Sequence, residues 1–316
     1  MNATRGLVRK PTIPVSEPWG IALAMAVAVV SGVSVFVNGF AVKQLPDAAV
    51  YTTLKNGVAA ILLIAVAVAV VPRGNIRALD RRAWSSMAVI GVIGGSVPFI
   101  LFFSGLTIAS APSAAFIHKT LFVWVVLLAV PFLGERLGWF PILGLGVLLA
   151  GQFLAAPPTG VSWGTGETMI LGATLLWAIE VVIARRLLVG AVPSPVVGAA
   201  RLGIGLLVLI GYLALTGRFA IVAALTPTQW AWGLGTGILL AAYVGTWLAA
   251  LRRAPASVVA SVLVLGAPIT AALTALSNGA LPAPPVLAGQ SAIVLGAGIL
   301  AALAVRAGRL RPVVDG

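Results

Sequence analysis

The chain has 316 residues, 60% of them hydrophobic and only 9% charged, with a mean hydropathy of +1.12. A soluble domain carries about a quarter of its residues charged, so a water-soluble globular fold is excluded and a lipid-embedded one is required. The excess of 20 Lys and Arg over 7 Asp and Glu would point to nucleic acid in a soluble protein, but here the cations lie singly or in short groups between long uncharged runs, and no nucleic-acid partner is expected.

A helix needs about 20 apolar residues to cross a hydrocarbon core of roughly 30 Å, and long apolar runs without alternation are helices rather than barrel strands. Residues 18–42 carry no charge and form span 1. With the basic terminus before it this run resembles a signal peptide, but at about 25 residues it is too long for a signal core. Span 2 covers 47–71, with Lys55 inside it, and the basic loop Arg73–Arg82 follows. The 52 residues from Ala83 to Gly134 hold two spans, 84–106 and 111–133, turning at Ser110-Ala111-Pro112-Ser113. Span 5 covers 138–156 and stops at Pro157-Pro158-Thr159-Gly160. Spans 6 (167–188, with Glu180), 7 (194–215, with Arg201) and 8 (228–250) follow. The second uncharged block, 254–305, divides at Asn278-Gly279 and Pro282-Ala283-Pro284-Pro285 into spans 9 (255–277) and 10 (284–305).

Loop cations fix the expected orientation. With a cytoplasmic amino terminus, the inner segments hold fifteen Lys and Arg, from Arg5, Arg9 and Lys10 through the paired Arg185-Arg186 and Arg252-Arg253 to Arg306, Arg309 and Arg311. The outer segments hold only Lys43 and Arg218. Both termini are therefore expected on the cytoplasmic side of a multi-pass protein of the cell membrane.

The two halves, 1–160 and 161–316, match at an offset of 145 to 146. Lys55 and Gly57 align with Arg201 and Gly203, Leu106 and Ala109 with Leu251 and Ala254, Gly144 and Gly151 with Gly289 and Gly296. Five spans per half is an odd number, so the second half enters the membrane upside down. The expected fold is all-α and polytopic, ten transmembrane helices in two inverted five-helix repeats, an arrangement that recurs in secondary transporters.

These residues carry a resemblance. The cation early in span 2 and its partner in span 7, the sequence Leu133-Gly134-Glu135-Arg136-Leu137 closing span 4, the glycine pair of span 5 and Leu176-Trp177-Ala178 in span 6 are similar to the drug/metabolite transporter superfamily in its EamA-type, ten-span form. Phe122 and Val123 stand where that family usually has a proline in span 4, and Pro268 is present in span 9. The resemblance implies transport of small metabolites, often amino acids or related compounds.

Charges within a bilayer cost about 2.5–3.5 kcal/mol each on insertion scales and are candidate functional groups by default. Lys55 and Lys119 have no acid at their level; either they await a substrate carboxylate or phosphate, or Lys55 snorkels and Lys119 bonds backbone carbonyls. Glu180 and Arg201 share a depth on successive spans. Glu180 is thus open to two readings, the carrier of a coupled proton or the fixed partner of Arg201. His118, the sole histidine, could carry a proton or simply pack. Trp177 shares a helix face with Glu180, and Tyr243 with Trp247; these rings line a substrate cavity or pack helices.

No cysteine is present, and no His-Glu-x-x-His or paired-acid motif occurs, so neither an enzyme nor a cofactor or metal is expected. The expected function is secondary transport of small metabolites, with amino acids or other carboxylate-bearing compounds as the class, by alternating access. Its partners would be a small-molecule substrate, the lipid bilayer, a coupled proton and a second copy as homodimer. The competing reading is a non-transporting sensor or scaffold on the same fold.

Overall fold

The computed structural model describes residues 18–109, 111–157, 163–190 and 192–309, with the side chains of 111, 112 and 307–309 left aside. Arg5, Arg9, Lys10, Ser110, Pro158-Thr159-Gly160 and Arg311 lie outside the described residues. Nine helical stretches are long and apolar enough to cross a bilayer, and Trp139–Ala155 is a shorter tenth. At 17 residues and about 1.5 Å of rise each it reaches about 25 Å.

Span 1 is Pro18–Gln44 and span 2 Ala48–Val70. Asp47 starts span 2 as its N-cap, accepting from the amides of Ala49 at 2.8 Å and Val50 at 2.9 Å, which satisfies donors that the first turn leaves free. Span 3 is Arg81–Leu106, divided at Ser96 into Arg81–Gly95 and Val97–Leu106. Span 4 is Ala111–Lys119 followed by Leu121–Leu133. Span 5 is Trp139–Ala155, span 6 Thr165–Val189, span 7 Ser194–Leu215 and span 8 Pro227–Arg253. Span 9 is Ala256–Leu263 followed by Gly266–Asn278, and span 10 is Pro284–Arg309. Short helices Arg73–Arg77 and Phe219–Ala223 lie in loops, and no strand occurs among the described residues.

The closest packing runs between the halves. Span 1 lies against span 8 and span 6 against span 3; span 2 pairs with span 7, span 4 with span 9 and span 5 with span 10. Individual glycine contacts show that the pairing is two-fold. A methyl group on Gly91 would stand 2.6 Å from Ile204 Cβ, and one on Gly237 2.5 Å from Val58 Cβ; both pairs are related by the same 146-residue offset. Likewise Gly20 fits against Arg253 and Ala254, and Gly166 against Ile108 and Ala109. Gly144 meets Gly296 while Gly151 meets Gly289. Small residues permit such close approach. The inverted repeat is therefore a real pseudo-symmetry of contacts.

One end of the bundle is rich in arginine (Arg73, Arg77, Arg81, Arg82, Arg136, Arg185, Arg186, Arg252, Arg253, Arg306) and the other, with Lys43 and Arg218, is poor in charge. At the charge-poor end Arg218 pairs with Asp47 at 3.3 Å. The arginine-rich end is tied by polar contacts. Glu135, buried, accepts from the backbone amides of Ala256 at 2.6 Å and Ser257 at 3.1 Å and from the Ser257 hydroxyl. It thereby caps the first turn of span 9 from the loop after span 4. Arg185 donates to the Leu251 carbonyl, and Arg186 Nη2 to that of Phe132 at 2.6 Å.

Candidate functional site

Three of the spans are broken, and the breaks surround one cavity. Pro98 has no amide hydrogen to offer the carbonyl four residues before it, that of Gly94. That freed oxygen accepts instead from Trp177 Nε1 at 3.2 Å and Arg201 Nη2 at 3.4 Å, while the Gly95 carbonyl accepts from Asn56 Nδ2 at 3.2 Å. Ser96, at φ −141° and ψ −71°, returns its hydroxyl to the carbonyls of Gly91 and Val92. Pro268 does the same to Val264 in span 9, whose oxygen takes the Ala267 amide at 2.9 Å in a tighter turn. Span 4 breaks without a proline: the Thr120 hydroxyl donates to the Ile117 carbonyl at 2.6 Å and receives Trp124 Nε1 at 3.0 Å.

The cavity encloses ≈ 700 Å³ and has lining residues on all ten spans. All eight residues singled out from the sequence, Lys55, His118, Lys119, Trp177, Glu180, Arg201, Tyr243 and Trp247, line it. Its floor is at Glu180, Arg201, Trp247 and Ala260, and it extends toward the charge-poor end along Ser31–Val42, Phe99–Leu106 and the first half of span 4. Only the arginine-rich half of span 4 packs closely on span 9; their other halves stand apart. A smaller hollow of ≈ 360 Å³ beside Val37 and Trp232 has no titratable side chain in its lining.

Arg201 Nε stands 3.4 Å from Glu180 Oε1, with both side chains buried. The contact is an ion pair and not a directed hydrogen bond, since neither atom has a hydrogen-bond partner. Gly94 makes the fit: a methyl there would lie 2.9 Å from Glu180 Cδ and 3.2 Å from Arg201 Nε.

At the equivalent place in the other half, Lys55 meets neutral groups. Its Nζ donates to Asn38 Oδ1 at 3.4 Å, an oxygen that also receives the Tyr51 hydroxyl, and Asn38 is held by Ser34 Oγ at 3.0 Å. Three rings surround the ammonium, with centroids at 5.1 Å (Tyr51), 5.4 Å (Phe103) and 5.7 Å (Phe99), within the range of cation–π attraction. Neither Lys55 nor Lys119 is within salt-bridge distance of a carboxylate among the described residues.

His118 packs its ring against Phe102 (4.9 Å) and Trp177 (5.2 Å), and its Nδ1 is without a hydrogen-bond partner. His118 and Lys119, successive residues of the helix Ala111–Lys119 and so about 100° apart around its axis, both line the cavity. Tyr243 and Trp247 stack at 6.2 Å and 11°.

Sequence reasoning missed Asn38, Tyr51, Gln152, Gln290 and the ring wall Phe99, Phe102 and Phe103. Positions 99, 102 and 103 follow Pro98 at helical spacing, which puts the rings on one face but does not say what that face meets. Among the described residues no group of three His, Cys, Asp or Glu could hold a metal. Chemically the site offers two lysines without counter-charge, an aromatic wall and one internally neutralised ion pair.

The EamA-like transporter family matches residues 18–156 and again 164–302. A solved structure titled "Crystal structure of protein" superimposes with a TM-score of 0.70 at 19% identity, covering 90% of this chain and 98% of that one; at that identity the likeness concerns the fold alone. The comparison with curated proteins gives no match.

Proposed function

We propose, from the premise that this chain belongs to the EamA-like transporter family, that it is a secondary transporter of small carboxylate-bearing metabolites working by alternating access. Its membership and its apolar helices make it a multi-pass membrane protein of a transporter family. The substrate class rests on one observation: the cavity contains Lys55 and Lys119 with no protein carboxylate to balance them. A cation without a counter-charge inside the bundle is costly, and an anionic substrate supplies the counter-charge. The aromatic wall would cover an apolar or ring-bearing body. The excess of cations at one end supports placing that end, and both termini, in the cytoplasm of a cell-membrane protein, with the cavity open outward. A homodimer stays an expectation of the same reading.

The Glu180–Arg201 pair neutralises itself and leaves the two lysines as the binding charges. Proton coupling, on this reading, involves Glu180 only when Arg201 is drawn away from it, and His118 otherwise.

Comparing metabolites accumulated and depleted in cells with and without the overproduced protein identifies the substrate; a carboxylate supports the reading, and a cationic drug overturns it. Flux of that substrate into proteoliposomes then separates carrier from sensor, since binding without flux favours the non-transporting alternative. Lys119→Ala should abolish transport of the anion while the protein elutes from a sizing column as before. Unchanged transport would remove Lys119 from the site.

A further inference from the structure

Spans 5 and 10 carry the same tripeptide, Ala150-Gly151-Gln152 and Ala288-Gly289-Gln290. The two glycines face each other: a methyl on Gly151 would stand 2.9 Å from the Gly289 carbonyl oxygen, and one on Gly289 2.7 Å from that of Gly151. Each glutamine therefore leaves its helix beside the same crossing point, and both line the cavity. Gln152 is 2% exposed, yet neither its Oε1 nor its Nε2 has a hydrogen-bond partner, and Gln290 Oε1 has none either. Single atoms of Thr52, Asn56 and His118 are also without a partner, but among the described residues Gln152 is the one side-chain carboxamide with both its oxygen and its nitrogen unpaired. The hydroxyls of Thr174, Ser261 and Thr270 return to carbonyls of their own helices. A buried carboxamide without a partner costs about 1–3 kcal/mol, so Gln152 contributes no stability as it stands, and the half-buried Gln290 beside it turns an unpaired oxygen to the same cavity.

We propose that Gln152 and Gln290 form a second recognition point, which hydrogen-bonds a neutral donor-and-acceptor group of the substrate, of the primary carboxamide class. The position suits the far end of a substrate whose anion lies at the lysines. Gln152 is three residues from the charge-poor end of span 5, Gln290 six from that of span 10 and Lys55 seven from that of span 2, or about 5, 9 and 10 Å along their helices at the helical rise. The pair belongs to this conformation alone, because the positions related to it by the repeat, Gly144-Leu145 and Ala297-Gly298, are apolar or backbone only. The assignment rests on the transporter reading only in making the cavity a ligand site; it does not need the anion.

Three probes separate the two. Calorimetry on the purified full chain in detergent would compare 3-phenylpropionate (anion only), 4-ethylbenzamide (amide only) and 3-(4-carbamoylphenyl)propionate (both). The amide-bearing probes should each lose about tenfold in affinity on Gln152→Leu and on Gln290→Leu, with 3-phenylpropionate unchanged. The unliganded unfolding midpoint should hold or rise in Gln152→Leu, because an apolar isostere replaces a buried, partnerless amide; a lower midpoint there would mean a structural role and overturn the assignment. Amide probes that fail to bind, or bind the variants equally, overturn it as well, whatever 3-phenylpropionate does. Failure of 3-phenylpropionate alone speaks against the anion reading and leaves the glutamines supported through 4-ethylbenzamide.

Discussion

Arg201 and Lys55 occupy equivalent places in the two halves, but only Arg201 has a carboxylate beside it. At the position equivalent to Glu180 stands Ser34, backed by Asn38. Removing one member of a buried ion pair leaves the other uncompensated, at a cost of about 3–5 kcal/mol. Glu180→Ala should therefore lower the unfolding midpoint in detergent sharply, whereas Ser34→Ala, at the related site, should stay within about 1 kcal/mol of the parent. Equal midpoints for the two variants would mean that the pair contributes nothing to the fold. The residues that carry charge in this cavity were legible in the sequence because a charge in lipid is conspicuous whatever surrounds it. Phe99, Phe102, Gln152 and Asn38 were not. A phenylalanine in a span reads the same whether it faces lipid, a neighbouring helix or a cavity, and only the folded contacts distinguish them.

Among the elements, the broken spans decide where backbone polarity enters the site. Pro98 orphans the Gly94 carbonyl, and Trp177 and Arg201 use it. Pro98→Ala would return an amide hydrogen to that carbonyl and set the helix in competition with both side chains. The expected result is a protein at least as stable, with substrate binding weaker by about fivefold, the equivalent of one hydrogen bond of about 1 kcal/mol. Binding at parental strength would show that the freed carbonyl has no part in shaping the site. Helix existence was readable from runs of apolar residues, and the bends of spans 3 and 9 from Pro98 and Pro268. The break in span 4 was not, because it follows from Thr120 bonding back to Ile117, and a threonine in a span ordinarily does so without ending the helix. Nor did the sequence disclose that Glu135, within the segment that suggested the family, would cap span 9 across the bundle.

At the scale of the whole molecule, the pseudo-two-fold contacts say what second arrangement the proposed alternating access requires. In this structure spans 4 and 9 close together at the arginine-rich end, where Val125 and Ser261 are fully buried. Their counterparts at the same offset, Ala271 and Ala115, line the open cavity. On the proposed alternating-access reading, exchanging the roles of the two halves would close Ala115 on Ala271 and open the span 4–span 9 contact around Val125 and Ser261. The absence of cysteine from the chain makes the test clean. A variant carrying Ala115→Cys and Ala271→Cys should cross-link under mild oxidation during turnover, and the cross-link should stop flux until it is reduced. The Glu135 cap ties span 9 to the end of span 4 at the arginine-rich end only, since its counterpart is the apolar Leu281; on the same reading it would hold that end shut. Adding Glu135→Ala should therefore speed the opening of that end and raise the rate of cross-linking. Slower cross-linking would show that the cap does not hold the gate, and unimpeded flux through the cross-linked protein would show that the halves do not exchange.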